Sequence, residues 1–494
     1  MQVVCDTRVV KRLCFVVFIL WVGPVLVPVG GHSLLIAQTR SPHDGAYRGY
    51  LAIRVLENGD HEEIASQNAD RLFVPASVLK VVTVAAALEH LGPGYRWSTR
   101  LMSASVVTDG VLDGDLVVLP GGDPTWSQTP GGASTYEPLA ALARQARTAG
   151  LTRVRGDLVV DTSAFPGRRH PTDRSYGDLS YRYGTPTAAL AVDEATVTIR
   201  VAPGAVAGQP ATVRAPHDMD VINHTMTVGR AHHGAGTLDF IPVWGTDSLL
   251  LRGEYPISEA PFVVSVSDPV PERRAAGHLL SALAGAGVIV EGVVRPQPWP
   301  YAGTRRMIAV AEVQSRPLEE ILERILTHSH NWYADMLTLA LAREVDGSGR
   351  FEDGVSVISD FVSGLTPDTL AESPARVWLQ DGSGLSSSNL VTPATIVRVL
   401  AYVRTQSWGD TLVRALAGPG QGTLAAWPAV PPVAAKTGTL RHTVALAGFL
   451  DAGEETPVIF CYFVNHHPTQ RRAARSLIAS TLAGWSDAMR RRLP

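Results

Sequence analysis

Residues 71–91 read RLFVPASVLKVVTVAAALEHL, and this stretch decides how the 494-residue chain is understood. From Ser77 to Leu91 nearly every position is an apolar helix former, and the run stops at Gly92-Pro93-Gly94. A helix apolar on all sides belongs inside a domain, covered by other elements. Pro75 suits the first turn of such a helix, which places Ser77 near the positive end of the helix dipole. Ser77 and Lys80 lie three apart and share one face. The neighbours of Lys80 are Val78, Leu79, Val81 and Val82. Burial disfavours an ammonium and lowers its pKa. A neutral amine one turn from a hydroxyl makes an activated serine nucleophile. The plainer alternative is a capping serine beside an ordinary lysine, but a surface lysine does not fit an all-apolar helix.

Lysine usage sharpens this. Outside Lys11 in the N-terminal segment, the chain has only Lys80 and Lys436, and all its other basic side chains except histidine are arginine. Guanidinium keeps its proton, whereas a buried amine can act as a base. Lys436 opens Lys436-Thr437-Gly438-Thr439. On a strand, Lys436 and Gly438 share one face and Thr437 takes the other. The glycine is expected to leave room for a substrate backbone, and an edge strand here would pair with an extended peptide. The ammonium of Lys436 and the hydroxyl of Thr437 suit a terminal carboxylate. The backbone N–H groups of Thr439 and Ser77 suit an oxyanion. A third short element, Ser329-His330-Asn331, falls in a turn between two helices. Its serine can pass a proton to a leaving amine, and its Asn amide can bind a substrate amide. Read alone, it is no more than turn chemistry.

Working outward, residues 47–56 read as a strand, followed by a turn at Asn58-Gly59 and a second strand. Between about Arg100 and Arg306 short β-type runs alternate with Gly, Pro and Asp turns, interrupted by helical patches near 137–149 and 274–288. This predicts a mostly β insertion over 99–314, in two subdomains. Helical periodicity returns at Leu318, Ile321, Leu322 and Ile325. A second helix starts at Trp332, and 392–417 reads as further helix. A hairpin is expected over 432–450 with its turn at Arg441-His442, then a strand over 458–464. The final stretch, 471–492, reads as an amphipathic helix. Its Arg-rich end offers a peripheral membrane contact, but packing on a sheet is the expected outcome.

With 494 residues and 45% hydrophobic content the chain can fill two to four domains. A formal net charge of -3 gives no basic excess for a nucleic-acid partner. Arg8, Lys11 and Arg12 precede an apolar run from Leu13 to Val29, broken by Gly23, Pro24 and Pro28, with small residues following to Ala37. This is expected to be an export signal over 1–37, with a retained anchor as the alternative. Beyond it only Cys461 remains, in an apolar strand-like run that suits a buried structural thiol rather than a nucleophile. The pairs His232-His233 and His466-His467 are expected in solvated loops, because no metal-ligand spacing joins them to acidic residues. No metal or cofactor is implied.

The order Ser-x-x-Lys, Ser-x-Asn, Lys-Thr-Gly resembles the motif set of the penicillin-recognising serine enzymes. The intervals are 252 residues from Ser77 to Ser329 and 107 from Ser329 to Lys436. The first is far longer than in class A β-lactamases, whose Glu-bearing loop is not found here. A long β-rich insertion between the first two motifs resembles the D-alanyl-D-alanine carboxypeptidase/endopeptidase family, the low-molecular-mass class C penicillin-binding proteins. Gly121-Gly122-Asp123-Pro124-Thr125, Asp381-Gly382-Ser383-Gly384-Leu385-Ser386, Gly422-Thr423-Leu424 and Ala447-Gly448-Phe449 also match that family.

The resemblance implies an α/β (α+β) transpeptidase-like fold, with an antiparallel sheet and helices. The catalytic domain would be discontinuous, over 40–98 and 315–494. It implies acylation at Ser77, with Lys80 as base and Ser329, Asn331 and Lys436 completing the catalytic set. Thr437, Gly438, Thr439, Ser383, Gly384 and Leu385 would bind substrate. Asp178 is the candidate for the free amine of a diaminopimelate-type side chain. The implied substrate is the peptidoglycan stem peptide, with β-lactams as covalent inhibitors and an exported, cell-envelope location. Two positions depart from the family: His330 stands where Asp is often found, and Ser387 where Arg is expected. A β-lactamase and a non-catalytic wall-binding protein are the rival readings.

Overall fold

The apolar runs 443–450 and 458–465 form the middle of a five-stranded antiparallel sheet, whose spatial order is Val433–Leu440, Thr443–Leu450, Val458–Asn465, Tyr47–Val55, His61–Gln67. Both middle strands are buried at every position. The reason is that both faces are covered. Alternate residues (Ala445, Ala447, Phe449, Ile459, Cys461, Phe463) pack into the core around the helix Leu79–Leu91. Their neighbours (Val444, Leu446, Phe460, Tyr462, Val464) pack under the C-terminal helix Arg471–Arg490 through Ile478, Leu482 and Trp485. Period-two alternation with both sides covered reads as a continuous apolar run. Cys461 is buried and free.

The structure, a computed structural model, describes residues 45–491 apart from 57–59, 128–135, 217, 230–236, 244–245, 302–306, 366–375, 452–455 and 469–470. The expected signal segment, the turn at Asn58-Gly59 and the pair His232-His233 lie outside the described residues. No helix among the described residues is long and apolar enough to cross a membrane.

The helix Leu79–Leu91 is central, with residues 79–88 all buried. It is flanked by Asn331–Leu341, Phe351–Gly364 and Pro393–Thr405. The chain leaves this core at Trp97 and returns at Ser315. There Trp97 N donates to Ser315 Oγ at 3.0 Å and Arg96 donates to the Ser315 carbonyl at 2.6 Å. Between the two crossings lies a second five-stranded sheet, in the order Val294–Gln297, Leu158–Asp161, Leu116–Leu119, Ser98–Ser103, Ile308–Gln314. Its core includes the helices Glu137–Thr148 and Pro271–Gly285. A separate small core gathers Val197, Ile199, Leu249, Leu251 and Val266 between three-stranded sheets.

The structure refines the expectations at three points. Residues 392–417 are two helices, Pro393–Thr405 and Gly409–Arg414, because Gln406 is extended and the chain folds back until Gly409 abuts the Val403 carbonyl. The helix Phe351–Gly364 was not anticipated. Of the pair His466-His467, only His466 is exposed; His467 is buried, its carbonyl beside His442 Nδ1 at 3.2 Å.

Candidate active site

Lys80 is fully buried, yet its Nζ has three polar neighbours. They are Ser77 Oγ at 2.9 Å, Asn331 Oδ1 at 2.8 Å and the Ser383 carbonyl at 2.5 Å. Three separate segments thus meet at one nitrogen. Burial is the largest influence on this amine. Asp335 and Asp381 oppose it, Arg174 adds to it, and the result is a pKa lowered to about 7. Asn331 Oδ1 and the Ser383 carbonyl can only accept, so a neutral Lys80 spends both of its N–H bonds on them. Its lone pair is then left for the one neighbour able to donate, the Ser77 hydroxyl. Asn331 Nδ2 donates to the Tyr183 carbonyl at 2.9 Å, which requires the amide oxygen to face Lys80.

Ser77 is half-buried and sits in a short 3-10 turn, Ala76–Val78, ahead of the α-helix proper. Ala76 holds a φ of 48°, in the left-handed region. Two glycines make this turn possible. A Cβ on Gly438 would lie 2.7 Å from the Pro75 carbonyl oxygen, and one on Gly384 (φ +76°) would lie 2.0 Å from that of Ala76. The space at Gly438 is therefore filled by the Pro75-Ala76 turn rather than kept for a substrate backbone. Ser383 and Gly384 are likewise buried, packed behind Ser77 and Lys80. Leu385 is half-buried beside them.

The Lys436 strand lies at the edge of the central sheet, as its sequence suggested. Ala435 exchanges backbone hydrogen bonds with Ala417 across that edge. Because strand N–H and C=O groups alternate sides, those of Thr437 and Thr439 face the same open edge. Lys436 is fully buried, and its Nζ donates to the Thr437 carbonyl at 2.8 Å. Burial, and then the charge of Lys80, push its pKa well down. The Thr437 hydroxyl bonds Thr423 Oγ1 at 2.6 Å, which ties in the Gly422-Thr423-Leu424 segment.

Ser329 is half-buried at the end of the helix Leu318–Leu326 and adopts a φ of 60°. This left-handed terminator reverses the chain so that Asn331 can start the next helix facing Lys80. The Ser329 hydroxyl has no hydrogen-bond partner among the described residues. Asp178 is half-buried in the turn Tyr176–Asp178 and accepts from Tyr183 Oη at 3.2 Å. Tyr183 links it to the site, because the Tyr183 carbonyl holds Asn331.

Sequence reasoning missed two charged clusters. Arg174 has a side chain only 2% exposed and is ion-paired to the fully buried Asp335 and Asp381. It also donates to Ser383 Oγ at 3.0 Å. Asp381 in turn accepts from the backbone N–H groups of Gly384 and Ser386 and from Asn389 Nδ2. These bonds shape the loop that presents the Ser383 carbonyl to Lys80. The second cluster centres on Glu194, which contacts His330, Arg182 and Arg324. The only sequence hint was that Asp381 stood in a matched segment and His330 departed from the family pattern.

The model of the D-Ala-D-Ala carboxypeptidase 3 (S13) family matches residues 41–486. The D-alanyl-D-alanine carboxypeptidase of Actinomadura sp. (strain R39) is 32% identical over 448 residues, covering 86% of this chain and 78% of that protein. The D-alanyl-D-alanine carboxypeptidase DacB of Haemophilus influenzae is 28% identical, covering 87% of this chain and 88% of that protein. The crystal structure of penicillin binding protein 4 (dacB) from Haemophilus influenzae matches with a TM-score of 0.75 at 26% identity, covering 86% of this chain and 92% of that one. A second structure of that protein, complexed with a novel β-lactam, matches with a TM-score of 0.70 at 25% identity, covering 87% of this chain and 92% of that one. The chain belongs to the D-Ala-D-Ala carboxypeptidase 3 (S13) family and is a serine-type D-Ala-D-Ala carboxypeptidase with the α+β fold of the penicillin-binding proteins.

Proposed function

We propose that this chain is exported and cleaves D-Ala-D-Ala bonds of peptidoglycan stem peptides through an acyl-enzyme on Ser77. It acts as a carboxypeptidase, as an endopeptidase on cross-bridges, or as both. The observation that carries this reading is the set of contacts at Lys80 Nζ, which leaves a neutral amine able only to accept from Ser77. Lys80 takes the proton as Ser77 Oγ attacks the carbonyl of the penultimate D-Ala. A positioned base of this kind contributes roughly 10²–10⁴-fold. The oxyanion is held by the N–H groups of Ser77 and Thr439, each worth on the order of 10²–10³-fold. Ser329 passes a proton to the departing D-Ala or cross-linked amine, and water then releases the acyl group.

The substrate enters extended along the open edge of the Lys436 strand, with its terminal carboxylate at Lys436 and Thr437. Asp178, beside the exposed Tyr183, receives a free amine on the stem side chain. The catalytic domain comprises 40–98 and 315–494. The insertion 99–314 forms two subdomains, a division supported by the Trp97–Ser315 neck and the two separate hydrophobic cores.

Labelling with a fluorescent penicillin tests the chemistry. A stable adduct that mass spectrometry places on Ser77, absent from Ser77→Ala, is expected. No adduct on the wild type would leave a non-catalytic wall-binding protein. An adduct that turns over rapidly would make the chain a β-lactamase.

A further inference from the structure

We propose that Glu194, a residue of the insertion, is a positioning residue for acylation: it holds the Ser329-His330-Asn331 turn and the Tyr183 carbonyl in the register that aims Asn331 Oδ1 at Lys80. The inference rests on the reading of Ser77 and Lys80 given above. Glu194 is 3% exposed. Its Oε2 accepts from His330 Nε2 at 2.8 Å and from Arg182 Nε at 2.6 Å, and its Oε1 accepts from Arg324 at 2.7 Å. One carboxylate thus joins three segments: the insertion loop, the helix Leu318–Leu326, and the middle of the second motif.

Two of the three partners sit immediately before the residues that matter. His330 precedes Asn331, and Arg182 precedes Tyr183. Glu194 therefore grips both ends of the hydrogen bond from Asn331 Nδ2 to the Tyr183 carbonyl. That bond is what turns the Asn331 oxygen to Lys80. His330 Nδ1 is buried without a partner among the described residues, so the ring proton resides on Nε2, toward the carboxylate. Burial would raise Glu194, but His330 and Arg182 outweigh it and hold the carboxylate at about 2. The group is therefore charged throughout the working range.

The backbone carries a second, independent sign. Asp193, Glu194 and Ala195 have φ values of 50°, 61° and 54°, three consecutive non-glycine residues in the left-handed region. Such conformations persist only where the surroundings over-determine them, and they concentrate at functional sites. Here Asp193 N donates to the Trp126 carbonyl, the Asp193 carboxylate accepts from Tyr136, and Asp268 N donates to the Ala195 carbonyl. The strained turn is thus built from the insertion core and delivers one carboxylate to the catalytic turn.

The test compares wild type, Glu194→Gln, His330→Asn and the double variant. Penicillin acylation is resolved by stopped flow into an initial binding constant and a first-order acylation constant, with Tm measured alongside. Glu194→Gln is expected to lower the acylation constant about 10–100-fold, the cost of a small misplacement at a catalytic group, with initial binding nearly unchanged. Because Glu194 acts through His330, the double variant should be no slower than the slower single, whereas independent effects would multiply. An acylation constant at the wild-type value in folded Glu194→Gln overturns the proposal. So do multiplying losses, or a loss that only follows Tm across the set. Where Glu194→Gln does not fold, His330→Asn combined with Arg324→Gln reads the same coupling. Wild type that labels at Ser77 beside a Glu194→Gln variant of equal speed removes this inference alone. Wild type that never labels removes the acylation reading and this inference together.

Discussion

Acylation by a β-lactam should track the free amine of Lys80, and the buried charges around it set where that happens. Burial brings Lys80 down to about 7, against the attraction of Asp335 and Asp381 and with the help of Arg174. The base form is the neutral amine, so the rate rises with pH and levels off above that value. With a pKa of about 7, the neutral fraction grows from roughly 3% at pH 5.5 to roughly 97% at pH 8.5, a gain of about thirtyfold. An ordinary lysine near 10.4 would gain about a thousandfold over the same window, with no plateau. Stopped-flow labelling with a fluorescent penicillin between pH 5 and 9 separates the two. The neighbours give a sign test. Asp335 itself titrates inside this window, raised to about 6 mainly by burial. Asp335→Asn removes that titration and a carboxylate that favours the ammonium, so the inflection should move down and acid-side acylation should quicken. Arg174→Met removes a charge that opposes the ammonium, so the inflection should move up. A rate still climbing tenfold per unit at pH 9, a flat profile, or an upward shift in Asp335→Asn would refute the reasoning.

Further outcomes follow from the same contacts. Gly384→Ala puts a Cβ 2.0 Å from the Ala76 carbonyl at a left-handed φ, so it should cost about 2–4 kcal/mol of stability and suppress Ser77 labelling; an unchanged Tm would show that the clamp on Ser77 is not tight. Lys436 is pushed toward neutrality by burial and Lys80, so a carboxylate ligand should bind Ser77→Ala with uptake of a proton, seen as a calorimetric heat that depends on the buffer's ionisation enthalpy; equal heats in all buffers would contradict this. Lys80→Arg should abolish labelling, because guanidinium cannot accept the Ser77 proton, whereas Lys436→Arg should retain part of it; equal loss in both variants would remove the division of labour between them. Cys461 is fully buried with its thiol pKa raised well up by burial, so thiol reagents should modify it only as fast as the protein unfolds; rapid modification of native protein would contradict its place in the sheet.

Much of the fold was legible where one local pattern dominated. The apolar helix around Lys80, the hairpin strands Val433–Leu440 and Thr443–Leu450, and the amphipathic C-terminal helix all follow from periodicity and turn residues. The helix Phe351–Gly364 is weakly marked in the sequence because its Val, Ile, Ser and Gly content weakens helix propensity. Yet Phe351, Val355, Ile358 and Val362 carry a helical spacing that would have found it. The helical reading of 392–417 holds on both sides of Gln406, where close packing of Gly409 on Val403 breaks the run and nothing in the periodicity marks it.

The sequence by itself singled out the candidates, one serine and one amine, and carried the order and spacing of three short motifs that name a family. It did so because Ser77 and Lys80 lie one helical turn apart, and a turn is a local object. Only the tertiary structure decided what holds that chemistry in place. Arg174 under the Ser383 loop and Glu194 under His330 come from a segment inserted between the first two motifs. Arg174 stands in a polar loop whose residues, read locally, look solvated, and Glu194 follows the apolar run 188–192 just ahead of a strand, with no local mark of a partner. Contacts between charges more than a hundred residues apart leave no periodicity to read, and the left-handed turn at 193–195 is imposed by the packing around it rather than by any residue preference.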